Sequence, residues 1–225
     1  MMIQGQTGSG NIVTYRPELA DHLLQAAEGL ARGHSLGAVT LESAARLADV
    51  SLKEAREAFA DDDALRLGLV RFYHAANREV LAFALREVAT VDDFVRQAQQ
   101  AVENYYQIFH NDPDMRDVWT EILTDRRMRA LNVEQVTENA GMVCHLLREL
   151  LPHITELELA ATVELMIHMT DVAARWAAAR DTAKGRAMLD AFCRVIALMA
   201  DDLIRLEQER AFAGASAALQ TASRS

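Results

Sequence analysis

From Pro17 onward, apolar residues return every three or four positions, the spacing that turns one side of an α-helix toward a core. Leu19, Leu23, Ala26, Ala27 and Leu30 predict a first helix from Pro17 to Ala31, with the proline in the first turn, where its missing N–H costs nothing. The segment "RGHSLGA" ends that helix. Thr40 is an N-cap residue for a second helix to about Leu47, with Leu41, Ala44, Ala45 and Ala48 on one face. After a tight turn at "ADV", Ser51 caps a third helix through about Phe59. Asp61 then caps a fourth, and Asp62 and Asp63 fall in its first turn, where carboxylates meet the positive end of the helix dipole. Its apolar stripe runs through Leu65, Leu69, Phe72, Ala76, Leu81 and Leu85.

Beyond Thr90 the pattern predicts four or five more long helices, with boundaries at "ATVDD", "HNDPDM", "ALNVE", "LPHITE" and "RDTAKG". Thr90, Pro113, Asn132, Thr155 and Asp181 or Thr182 supply the caps and breakers. The expected protein is all-α, with about nine helices. Its organisation reads as a flexible arm (1–14), a three-helix domain (15–62), a larger helical domain (63–212) and a C-terminal tail (213–225).

Composition sharpens that reading. The 225 residues include only 10 glycines and 3 prolines, so few breaks interrupt the helices. No apolar run reaches the roughly 18 residues needed to span a bilayer, and "MMIQGQTGSGNIVT" has neither the basic start nor the apolar segment of a signal peptide. A cytoplasmic protein is expected. "GQTGSGN" lacks the lysine and Ser/Thr that close a phosphate loop, so it reads as part of the arm. Cys144 and Cys193 each lie in an apolar helical pattern and read as reduced thiols. The formal charge of −10 excludes general affinity for nucleic acid or anionic membrane, because that affinity comes from many cations displacing counterions. Any DNA binding must be local and specific.

Catalytic patterns are missing. A di-iron bundle uses Glu-x-x-His pairs, whereas Glu164 and His168, like Glu149 and His153, are four apart. Cys144 and His145 are adjacent, hence about 100° apart around a helix, and Gly-x-Ser-x-Gly does not occur. No enzymatic activity, cofactor or metal is expected.

The second and third helices, joined by a short turn, form a helix-turn-helix pattern, in which the later helix can enter the major groove of DNA. Ala45 is small where the two would cross, Val50 can plug the turn, and Ala55, Ala58 and Phe59 give the third helix an inner face. Ser51, Lys53, Glu54, Arg56 and Glu57 remain outside.

From about Leu24 to Leu69 these residues resemble the tetracycline-repressor-like (TetR/AcrR) transcriptional regulators. The match comprises Ala26, Ala27 and Leu30 in the first helix, Thr40, Ala45, "ADVS", Phe59 eight residues after Ser51, and Leu65, without a gap. Asp49 stands where the family usually has glycine, Arg56 replaces a tyrosine that contacts the DNA backbone, and Asp62 replaces a lysine. The first 71 residues hold seven Lys and Arg against ten Asp and Glu, a net charge of −3. The resemblance implies a homodimer that binds a pseudo-palindromic operator and is released by a small-molecule effector. Its candidate DNA contacts are Thr40, Arg46, Ser51, Leu52, Lys53 and Arg56. The acidic balance and Asp62 favour an alternative, a ligand- or partner-binding protein whose DNA binding is weakened or lost.

The resemblance also implies an effector pocket among the middle helices, for which Tyr105, Phe109, Trp119, Met142, His145, Met166 and His168 are candidates. Pairing of subunits through the last two helices is implied likewise. The stripes Leu159, Val163, Ile167, Val172 and Trp176, and Met188, Phe192, Val195, Met199, Leu203 and Leu206, suit a four-helix interface.

Overall fold

The computed structural model describes residues 17–222, and the arm expected over 1–14 lies outside them. Among the described residues there are nine α-helices and no strand. The chain divides into two compact units after Leu69, a point inside α4.

The first unit contains α1 (Pro17–Gly33), a 3-10 turn (Leu36–Ala38), α2 (Leu41–Leu47), α3 (Leu52–Ala58) and the start of α4 (Asp62–Leu85). Leu23, Ala27, Ala44, Ala55, Leu65 and Leu69 are fully enclosed. The sequence boundary at residue 62 falls where α4 begins, just after its cap Asp61, but Leu65 and Leu69 are buried within the run of chain assigned to the small unit. A helix cap and a domain boundary are set by different forces, local hydrogen bonding and apolar burial, and here they differ by two turns.

The second unit contains the rest of α4, α5 (Val91–Asn111), α6 (Pro113–Thr124), α7 (Arg126–Leu150), α8 (Glu156–Ala178) and α9 (Thr182–Ala222). Its central core runs through Phe94, Val143, Leu147, Leu159, Val163, Met166 and Leu203. The Thr90 and Thr155 hydroxyls accept from Asp93 and Glu158 N–H, as expected of N-caps. The Asp181 carboxylate accepts from Lys184 N–H at 2.9 Å, which opens α9.

At "ALNVE" the structure corrects the sequence reading, since α7 runs unbroken through Asn132, which is buried. The true start is Asp125, whose carboxylate accepts from the N–H groups of Arg127 and Met128. Burial of one amide overrides its modest helix propensity. α9 continues to Ala222, beyond the position where its apolar stripe fades.

Candidate functional site

The short helices of the first unit are fixed by local hydrogen bonds that their sequences encode. Thr40 and Ser43 form a reciprocal capping box on α2, as Ser51 and Glu54 do on α3. Between them, Val50 N–H bonds to Ala45 C=O at 3.0 Å, the six-to-one closure of a Schellman turn. Asp49 occupies its left-handed position at φ 54°, where the family usually has glycine and where aspartate is among the better-tolerated side chains.

Gly68 lets this unit close. A Cβ there would lie 2.7 Å from the Phe59 ring, so only a hydrogen lets α4 approach so near.

Arg46, Lys53 and Arg56 are exposed, and among the described residues no ion pair engages them. Ser51 is exposed and Leu52 half-buried, while Thr40 is half-buried beneath its capping box. Glu54 accepts from the Ser51 N–H and hydroxyl. Asp62 also has an internal task. Its carboxylate accepts from Leu41 N–H, the first residue of α2, at 2.7 Å. Replacing it with lysine would remove a helix cap together with a charge. Arg66 is likewise turned inward, donating to the carbonyls of Val39 and Gly37.

The second unit encloses a cavity of about 230 Å³ between α4, α5, α6, α7, α8 and α9. Of the residues singled out in the sequence, Tyr105, Trp119, Met166 and His168 line it. Phe109 is buried beside Tyr105, with ring centroids 6.2 Å apart, but is not part of the wall. His145 lies on a separate groove with Cys144 and Arg148, and Met142 borders neither space. Both sit on α7, turned away from the enclosed side by their position around the helix.

Apart from Tyr105 and His168, the polar side chains of the wall were not singled out from sequence as ligand contacts. His74 and Asn77 on α4, Asn132 and Asn139 on α7, and Asp171 on α8 all line the cavity. Asn132 and Asn139 are seven apart, two helical turns, with Gln135 between them on the same side of α7; that periodic run of amides was the available signal.

His74 is 5% exposed and its ring meets Trp119 edge-on at 5.5 Å. Burial first, then the Arg78 cation, push its pKa down from 6.5 to about 4, against the opposing pull of Glu138. The imidazole is therefore neutral at physiological pH. Tyr105 is pushed up to about 12, by burial and then by the Asp171 carboxylate, so it too is uncharged. Asp171 is held by Arg175 through a two-pronged pair, Nε–Oδ1 3.1 Å and Nη2–Oδ2 2.9 Å. Three buried polar atoms of the wall residues have no hydrogen-bond partner: His74 Nε2, Trp119 Nε1 and Asn139 Oδ1.

The depressed histidine has a consequence for stability. The unfolded chain takes up the proton near pH 6.5 and the folded chain only near pH 4, so stability falls as the pH drops through that window. Between pH 7 and pH 5 the loss is about 2 kcal/mol. Urea denaturation at both pH values should show that loss shrinking by about this amount in His74→Phe, measured against the unaltered chain.

Among the described residues no group of His, Cys, Asp and Glu is arranged to hold a metal, and no helix is long and apolar enough to cross a membrane.

A helix-turn-helix unit followed by a helical unit with a ligand-sized cavity is the architecture of one-component transcriptional regulators. Residues 92–202, most of the second unit, match the family described as "Tetracyclin repressor-like, C-terminal domain". Solved structures share the fold. The fatty acid degradation regulator FadR from Bacillus halodurans is 12% identical, with 81% of this chain and 96% of that one covered and a TM-score of 0.61. A transcriptional regulator from Pseudomonas aeruginosa PAO1 is 14% identical, with 87% and 98% covered and a TM-score of 0.64. FadR from Bacillus subtilis in complex with stearoyl-CoA is 12% identical, with 78% and 96% covered and a TM-score of 0.57. No curated protein matches the sequence.

Proposed function

We propose that this chain is a ligand-responsive transcriptional repressor of the cytoplasm. It acts as a homodimer whose two α3 helices enter successive major grooves of a pseudo-palindromic operator, about 34–36 Å apart. The observation that carries the reading is the capped α2–turn–α3 unit with Arg46, Lys53 and Arg56 outward and unengaged. Arginine in place of the family's tyrosine can hold a phosphate or pair with a guanine edge. The cavity is the effector site, a reading supported by the unpartnered polar atoms of its wall residues. The Bacillus subtilis FadR, solved with stearoyl-CoA, lends support by analogy. An effector that favours one spacing of the reading helices over another would shift the population away from DNA.

Subunit pairing runs through α8 and α9. Leu157, Leu165 and Trp176 on α8 and Val195 and Leu198 on α9 are all exposed. The interface stripes read from sequence need correction, because Leu159, Val163, Phe192 and Leu203 are buried within the chain's own core. A helix that packs on both sides carries two apolar stripes of the same period, and period alone does not tell them apart.

Fluorescence anisotropy with labelled DNA from upstream of the coding sequence tests the reading, at low salt and then across a salt series. We expect specific binding. The double replacement Lys53→Ala with Arg56→Ala removes four cations per dimer and should lower the salt slope by roughly 3 to 4. A folded dimer that binds none of this DNA would instead establish the second reading, a ligand- or partner-binding protein, which the net charge of −3 in the first 71 residues favours.

A further inference from the structure

We infer that the cavity of the second unit selects an uncharged, largely apolar molecule that carries a hydroxyl group, and that Trp119 and His74 hold the hydroxyl. The inference rests on the effector reading of that cavity and names the chemical class it takes.

Charge comes first. No cation projects from the enclosed part of the wall: His74 is neutral, Tyr105 is neutral, and Asp171 is balanced by Arg175. The other histidine of the wall, His168, is exposed. Arg78, the cation whose field reaches His74, is already paired with Glu138 at 2.8 Å, so an anionic ligand would bury its charge without a cation left to balance it, and burial of an unpaired charge is strongly unfavourable.

The hydrogen-bonding inventory narrows the class. Trp119 Nε1–H can only donate, so the ligand must offer an acceptor. His74 Nε2 donates or accepts according to its tautomer, and a hydroxyl can answer either while accepting from the indole. A carbonyl can only accept. The two rings are 5.5 Å apart and edge-on, near enough for one oxygen to bridge them. Both residues are more than nine-tenths buried, so water has little access to substitute for the ligand. The rest of the wall is mainly aliphatic, including Leu81, Val143, Val163, Met166 and Ile196. A volume of about 230 Å³ suits a molecule of one or two rings; a dry cavity of ~150 Å³ already holds benzene.

Isothermal titration calorimetry of the full chain with 1-naphthol, naphthalene and 1-naphthoate tests this without DNA. We expect 1-naphthol to bind at least tenfold more tightly than naphthalene, and 1-naphthoate to bind more weakly than either. Trp119→Phe keeps the ring and removes the donor, and with His74→Phe it should bring the naphthol-to-naphthalene ratio toward one. Retained naphthalene binding would show that both variants still fold. Equal binding of naphthol and naphthalene, or naphthoate as the tightest of the three, overturns the hydroxyl assignment and leaves the effector reading standing. Failure of all three probes to bind the folded chain overturns that reading as well. Loss of DNA binding alone touches neither result.

Discussion

Leu198→Asp is expected to convert the proposed dimer into monomers at micromolar concentration. Leu198 is 67% exposed in the single chain, so a carboxylate there leaves the fold intact. In a two-fold assembly every substitution appears twice across the interface. Two leucines lose their burial, at about 2 kcal/mol each, and two carboxylates must be desolvated or the contact opens. A loss of about 4 kcal/mol raises Kd roughly a thousandfold. Sedimentation velocity should show the monomer, and operator affinity should fall with it, since a single reading helix engages half a site. Val133→Asp is the matching control, at an exposed apolar residue of α7, and should leave the dimer unaltered. A Leu198→Asp protein that sediments as the unaltered dimer places the interface elsewhere.

Gly185→Ala should have the opposite sign from a usual helix substitution. Replacing an interior glycine with alanine ordinarily stabilises a helix by up to about 1 kcal/mol. At Gly185, however, a Cβ would stand 2.6 Å from the carbonyl oxygen of Ala177, at the end of α8, and 3.3 Å from its carbon. The obstacle is backbone and cannot rotate away, so α8 and α9 must separate. A net destabilisation of roughly 1–3 kcal/mol is expected, a fall in Tm of about 3–9 °C for a chain of this size. Gly141→Ala on α7 meets nothing within 4 Å and should raise stability. Thermal denaturation of the pair reads the difference directly. If both substitutions stabilise, the close approach of α8 and α9 at Gly185 is wrong.

The caps at Thr40, Ser51, Asp61, Thr90, Thr155 and Asp181 were legible because each rests on a side chain bonding to an N–H two or three residues away. The helix-turn-helix unit was legible for the same reason, with its turn at Asp49 closed by bonds no longer than five residues. Apolar period gave helix identity, while the reading of breakers failed at Asn132, where a polar residue of the cavity wall looked like a helix end.

What the sequence by itself determined is the order and type of the helices, since capping and amphipathic period are local. Tertiary structure alone decided which of two equivalent faces of α8 and α9 is core. It also decided that Asp62 caps α2 from 21 residues away, and that His74 and Trp119, far apart in the chain, meet with their polar atoms unpartnered. Contacts of that kind depend on distance in space, which a linear pattern of polar and apolar residues does not contain.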